Sequence, residues 1–185
     1  MMRQAMVLYG PPASGKDTIT CALRELDSRY QLFQRLKAGP GRVEGYRLTS
    51  RRHLETMKAA GLLLWENARY GAIYAVDRPA LEGCMESGIP VVHLGQVAAV
   101  SAITRGIPHV SWLVVELRCP RDIAAKRIAE RATGDTRARL EAWDETEPLP
   151  YADLVIDTSF TTPMDAARQV RQKMLSRVRD RLWPE

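Results

Sequence analysis

Short apolar runs alternate along the chain with stretches in which apolar residues recur every three or four positions, and the two patterns predict different elements. MVLY at 6–9 is apolar and runs into a glycine-rich turn, which predicts a buried strand. Asp17 to Tyr30 predicts a helix with Ile19, Leu23 and Leu26 on one face. Residues 36–47, LKAGPGRVEGYR, are glycine-rich and basic and predict a loop or hairpin. Ser50 to Ala60 carries Leu54, Met57 and Lys58 at helical spacing and stops at Gly61. LLLW at 62–65 predicts a strand, followed by a Gly/Tyr-containing hairpin to Tyr74, and Arg78 to Ser87 a helix ended by Gly88. IPVVHLG (89–95) and VSWLVVELR (110–118) predict core strands, the second with the β-branched density of a parallel strand buried on both faces. Helices over Arg121 to Arg131 and Thr136 to Asp144 follow, then a last strand, DLVIDT (153–158). Residues 163–182 predict an amphipathic helix with Met164, Ala167, Val170, Met174, Val178 and Leu182 along one side.

Strands alternating with helices imply an α/β domain with a parallel core sheet, whose ligands sit at the carboxyl ends of the strands. At 185 residues there is room for one domain with a full core. Hydrophobic content of 45% beside 26% charged residues fits a soluble globular chain. No apolar run approaches the roughly 18 residues of a membrane span, and the N-terminal apolar stretch reads as a first strand rather than a signal peptide. Cys21, Cys84 and Cys119 lie far apart without CxxC spacing, which implies packing residues in a reducing cytoplasm, not a disulfide framework or zinc site. There is no internal repeat and no linker. The net charge of +5, with Arg greatly outnumbering Lys, suits a polyanionic ligand, ATP or nucleic acid, although the arginines of the last helix read as a solvated face.

Residues 9–18, YGPPASGKDT, carry the chemistry. The frame Gly10-x-x-x-x-Gly15-Lys16 between a strand and a helix is a phosphate-binding loop (P-loop). Gly10, Pro11, Pro12, Ala13, Ser14 and Gly15 would turn backbone N–H groups onto phosphate oxygens, and Lys16 would reach the β- and γ-phosphates of ATP. The residue after the lysine normally gives Mg²⁺ a hydroxyl; here it is Asp17, with Thr18 one place on, so either side chain could place the metal. Asp17 could equally be a helix-start acid facing the dipole. GTPases and motor ATPases usually show an acid at the end of a core strand, whereas 89–95 ends His93-Leu94-Gly95; Glu116 is the nearest candidate. His53, His93 and His109 are scattered and receive no role.

ELRCPRDIAAKRIAER (116–131) is similar to the segment before the lid of small-molecule kinases. Arg127 and Arg131 lie four apart on one helical face, and Arg139 follows a TGDT turn. Arginines so placed could close over the nucleotide and stabilise the moving phosphoryl group, as catalytic residues beside Lys16.

Residues 46–76, YRLTSRRHLETMKAAGLLLWENARYGAIYAV, resemble the acceptor-binding segment of guanylate kinases, and with the loop, the lid segment and YADLVIDTS the resemblance covers most of the chain. It implies a single P-loop kinase domain over 1–185. The fold would be the three-layer P-loop NTPase fold, with a small mixed β acceptor subdomain at about 35–77 and a short helical lid at about 127–144. The family's phosphate-gripping tyrosines fall on Tyr46 and Tyr74, and its paired arginines within 35–42, where Arg35, Lys37 and Arg42 stand. Its guanine-reading groups do not carry over. Trp65 stands where the family has its base-binding Glu, with Glu66 one place on, and Val76 stands where a hydroxyl reads the base. Gly15-Lys16-Asp17-Thr18 also resembles ribose 1,5-bisphosphate phosphokinase, a relative without base recognition.

The expectation is therefore an ATP- and Mg²⁺-dependent phosphotransferase acting on a phosphorylated small molecule other than GMP. Arg35, Lys37, Arg42, Tyr46, Trp65 and Tyr74 would form the acceptor pocket, in a monomer or homodimer. Guanylate kinase itself is the nearest alternative. A catalytically inactive guanylate kinase-like binding module and a nucleic-acid-binding ATPase are rivals of other classes; the intact Lys16 argues against the first. The missing strand-end acid and the lack of an aromatic-interleaved basic groove argue against the second.

Overall fold

The phosphate loop follows the central strand of a parallel sheet. The structure is a computed structural model that describes residues 3–130 and 134–182, with the side chains of the last helix described through Arg177. Among these residues five strands form the main sheet: β1 (Gln4–Tyr9), β2 (Tyr30–Leu32), β7 (Ile89–Leu94), β8 (Ser111–Arg118) and β9 (Leu154–Asp157). Their order is β2-β7-β1-β8-β9 and every pairing is parallel.

Successive side chains of a strand point to opposite faces, and β1 shows the consequence. Met6 and Leu8 enter one core, against Ile19 and Leu23 of α1 (Lys16–Leu26) and Ala167, Val170 and Met174 of α7 (Pro163–Leu182). Ala5, Val7 and Tyr9 enter the other, against Leu81 and Met85 of α3 (Arg78–Ser87) and Val100 and Ile103 of α4 (Val97–Gly106). Helices on both faces make three layers. Both faces being covered is why the strands read as continuous apolar runs and not as alternating ones.

Residues 35–77 make a separate mixed sheet, β4-β3-β6-β5, from β3 (Arg35–Ala38), β4 (Tyr46–Leu48), β5 (Leu63–Arg69) and β6 (Ala72–Asp77). Its apolar face (Leu36, Ala38 and Ala75) packs on Leu54 of α2 (Arg51–Ala59), whose first turn is capped by Ser50 accepting from the His53 N–H at 3.1 Å. The opposite face is polar. β5 and β6 join through Tyr70 and Gly71 at φ 51° and 73°, the two left-handed residues of a type I′ hairpin turn. Helices α5 (Arg121–Glu130) and α6 (Thr136–Asp144) complete the fold.

Local patterning misjudged three places. The helix expected to reach Tyr30 ends at Leu26, because Asp27 turns extended and Tyr30 pairs with Ile89 on β7. Residues 36–47 hold strands β3 and β4, which pair in parallel and therefore form no hairpin. Helix α4 falls in a segment for which no element was expected; no side chain caps its start at Gln96. No helix among the described residues is long and apolar enough to cross a membrane.

Candidate active site

The loop geometry follows from its glycines. Gly10 sits at φ 153°, and a Cβ there would stand 2.5 Å from the Leu117 carbonyl oxygen and 2.8 Å from Ser14 Oγ, so the backbone needs a residue without one. Gly15 at φ 90° caps α1, and Ala13 holds the left-handed region at φ 62° without being glycine. Lys16 Nζ donates to the Gly10 and Pro11 carbonyl oxygens, each at 2.7 Å, and lies 3.2 Å from Ser14 Oγ. The cation is thereby held over the concave side of the loop. Gly10, Pro12 to Gly15 and Lys16 border one space, the arrangement by which such a loop holds phosphate oxygens.

A cavity of about 250 Å³ opens from this loop. It takes in Gly10, Pro12 to Asp17, Arg35, Arg42, Tyr46, Trp65, Tyr74 and Arg139, so most of the residues singled out in the sequence meet in one space. The strand register explains the acceptor-side group. Arg35 pairs with Tyr46 across β3–β4, and Tyr74 pairs with Lys37 and Asn67 across β6. All of these therefore share the polar face of the small sheet, together with Trp65. The Tyr46 and Tyr74 rings are 5.3 Å apart, and the Arg35 guanidinium lies 5.7 and 5.5 Å from their centroids. No carboxylate pairs with Arg35 among the described residues. Burial pushes the Tyr74 phenol up.

Five predicted residues stand differently. Pro11 does not line the cavity; its carbonyl oxygen accepts from Lys16. Lys37 is buried; its Nζ donates to the Pro40 and Arg42 carbonyl oxygens at 2.6 and 2.7 Å, so it braces the 39–45 loop from below and does not line the cavity. Arg127 does not line the cavity either. Its guanidinium lies behind the phosphate loop, donating to Ala13 O at 3.2 Å and to Thr158 Oγ1 and O at 3.2 and 2.8 Å. Thr18, two residues past Lys16 and so about 200° round the helix, is exposed and absent from the cavity wall. Arg131 lies outside the described residues. Arg139 reaches the cavity from α6, held by Asp135 at 2.7 Å, whose hydrogen bond is the largest cause of its raised pKa.

Trp65 does two things, lining the cavity while packing against the second core; its Nε1 is buried without a partner. Glu66 points to the other face and pairs with Lys58, so it supplies no carboxylate to the cavity. Glu116 is buried between Arg118 and the Leu149 N–H, in register with Tyr9, and does not line the cavity.

Sequence reasoning missed His93. At the end of β7, its Nδ1 faces Asp17 Oδ1 at 3.4 Å and its Nε2 lies 2.7 Å from Thr20 Oγ1. Arg42 Nη1 stands 3.7 Å from Asp17 Oδ2. The hydrogen bond from His93 is the largest influence holding the Asp17 carboxyl well below the usual range; burial opposes it, and the charges of His93, Arg42 and Lys16 assist. Burial pushes the His93 imidazolium down, and Asp17 opposes the shift. A His on a strand carries no motif, and only its partner across the fold exposes it. Asn67, Arg69, Tyr70, Gln96, Asp135 and Thr146 also line the cavity and were not foreseen.

For Mg²⁺ the donor set fits in a limited way. Among the described residues no three His, Cys, Asp or Glu side chains cluster as a metal cage. Asp17 offers one hard anionic oxygen donor beside the loop, which suits an ion that takes most of its ligands from phosphates and water.

A parallel sheet with a phosphate loop after its central strand and a mixed sheet across the cleft defines the class as a P-loop kinase fold. The crystal structure of guanylate kinase from Anaplasma phagocytophilum superimposes with a TM-score of 0.61 at 14% identity, covering 96% of this chain and 87% of that one. The crystal structure of APE1195 does so with 0.56 at 15% identity, covering 95% and 97%. No curated protein matches the sequence significantly. The family described as chloramphenicol phosphotransferase-like protein matches residues 4–175, and the chain belongs to that family. Fold and family together support a P-loop phosphotransferase.

Proposed function

We propose that the protein transfers the γ-phosphoryl group of ATP, with Mg²⁺, to a small molecule that already carries a phosphate and is not GMP. One observation carries this reading: a single cavity joins the Lys16 loop to the Arg35–Tyr46–Tyr74 cluster, where a guanidinium with no carboxylate partner among the described residues sits over two phenols. Such a group suits an anionic acceptor oxygen, and Arg139 enters the same space from α6. Lys16 and the loop amides would hold the phosphates, with Asp17 as the protein oxygen for Mg²⁺, which when bound offsets phosphate charge. Transfer of this kind needs alignment and charge compensation, which these groups supply, and little covalent help. An acceptor phosphate is its own nucleophile. Guanine recognition is disfavoured because Trp65 and Val76 replace polar groups and Glu66 faces away.

The family's name points instead to chloramphenicol, a neutral hydroxyl-bearing acceptor, and the aromatic wall of Trp65, Tyr70 and Tyr74 gives that second reading its support. A coupled ADP-release assay separates the two, using Mg²⁺-ATP with nucleoside monophosphates, sugar phosphates including ribose 1,5-bisphosphate, and chloramphenicol. The expected result is turnover with a phosphorylated, non-guanine acceptor, absent in Lys16→Ala and at least about tenfold lower in kcat/KM in Arg35→Ala, the size of losing a charge-assisted contact. Turnover with chloramphenicol alone would overturn the acceptor assignment, and GMP as best substrate would overturn the reading of Trp65.

A further inference from the structure

Many phosphate-loop enzymes carry an acid at the end of the strand beside β1. In this chain that strand is β7, and its residue facing the loop is His93, while the carboxylate comes from the first turn of α1 as Asp17. We propose that His93 is a positioning residue which, held at its Nε2 end by Thr20, orients the Asp17 carboxylate toward the Mg²⁺ that would accompany the phosphates, so that the two residues together replace the missing strand-end acid. This rests on the phosphotransferase reading above and assigns a role within it.

The geometry supports it. Thr20 Oγ1 donates to the Lys16 carbonyl oxygen at 2.8 Å and lies 2.7 Å from His93 Nε2, so the far end of the ring is held against α1. An imidazole nitrogen can face a carboxylate favourably only as an N–H donor. The ring therefore presents Nδ1–H to Asp17 Oδ1, 3.4 Å away. The second carboxylate oxygen faces Arg42, so the group is held from both sides across the mouth of the loop. Thr20 is buried and the His93 side chain is only 11% exposed, so neither is a rotating surface group. A donor that fixes the orientation of a metal-ligating carboxylate commonly governs metal affinity by about 10- to 100-fold.

ATP affinity of the full chain, measured by calorimetry with Mg²⁺ and again with EDTA, tests this without an acceptor. Wild type is expected to bind more tightly with Mg²⁺. His93→Ala should lose about tenfold or more of that gain while its affinity in EDTA stays the same, and His93→Asn, whose amide N–H can stand in for Nδ1–H, should restore most of it. Equal losses in both conditions, or a full Mg²⁺ gain in His93→Ala, would overturn the proposal and leave the phosphotransferase reading intact. No ATP binding by wild type would overturn both. The ¹⁵N spectrum of the wild-type imidazole keeps the test open if His93→Ala fails to fold: a proton on His93 Nδ1 at pH 7.5 is expected, and a ring without one would sink the idea.

Discussion

Lys37 Nζ donates to the carbonyl oxygen of Arg42 at 2.7 Å from a position beneath the acceptor loop, with a second bond to Pro40 O at 2.6 Å. The buried ammonium, which has no carboxylate partner among the described residues, is held by two carbonyl dipoles and by the Tyr46 and Tyr74 rings, 5.8 and 5.9 Å away. Lys37→Met keeps the length of the side chain and removes the donor. It should cost about 1–3 kcal/mol in urea denaturation and speed amide hydrogen exchange in 39–45, with the 10–16 loop unchanged. Unchanged exchange in 39–45 would show that the brace does not order the loop.

Two glycines should respond in opposite directions. Gly10→Ala places a methyl 2.5 Å from a backbone carbonyl at φ 153°, and should cost about 1–3 kcal/mol and weaken ATP binding. Gly83, inside α3 with nothing within 4 Å of its added Cβ, should gain about 0.5–1 kcal/mol as Ala, since helical alanine loses less chain entropy. Thermal denaturation of both variants checks the sign.

Arg127 fastens Ala13, which sits at φ 62° in the phosphate loop, to Thr158 at the end of the sheet. Three acceptors need a planar fork, and an ammonium cannot reproduce it. Arg127→Lys should therefore behave nearly like Arg127→Ala, losing about 1–3 kcal/mol of stability and several-fold in ATP affinity. Wild-type ATP affinity in Arg127→Lys, measured by calorimetry, would show that the loop holds its shape unaided.

Tyr9 precedes the loop, and its hydroxyl donates to the Glu147 carbonyl oxygen. Its phenol pKa is pushed up to about 12 by burial first, then by Glu116 and Glu147. A raised pKa means the folded state favours the neutral phenol. This contribution is whole below the unfolded value near 10 and is lost as pH climbs from there towards 12. Alkaline unfolding followed by circular dichroism should be steeper over that window in wild type than in Tyr9→Phe, and a late phenolate absorbance step should vanish in the variant. An identical pair of curves would contradict the assignment.

The phosphate loop was legible because its chemistry is local. Gly10, Gly15 and Lys16 act through backbone angles and a side chain only a few residues away. Helices α2 and α3 were equally plain, having caps or boundaries in their own sequence: Ser50 for α2, Asp77 and Gly88 for α3. Arg35, Tyr46 and Tyr74 were found through resemblance, and the register of β3, β4 and β6 then put them on one face. Strands β2 and β4, each of three residues, are too short to show a period, and their partners supply most of what holds them in place.

The central strands, most of the helices, the phosphate loop and the families it resembles were thus determined by the chain alone, since each depends on neighbours within a turn or a strand. The rest was decided by the tertiary structure. Strand register and helix phase turned Lys37 under its loop, Arg127 behind the phosphates, Thr18 outward and His93 onto Asp17. The direction of a side chain depends on which residues pack across from it. His93 and Asp17 are brought together only when β7 and α1 pack beside β1, and no spacing along the sequence carries that information.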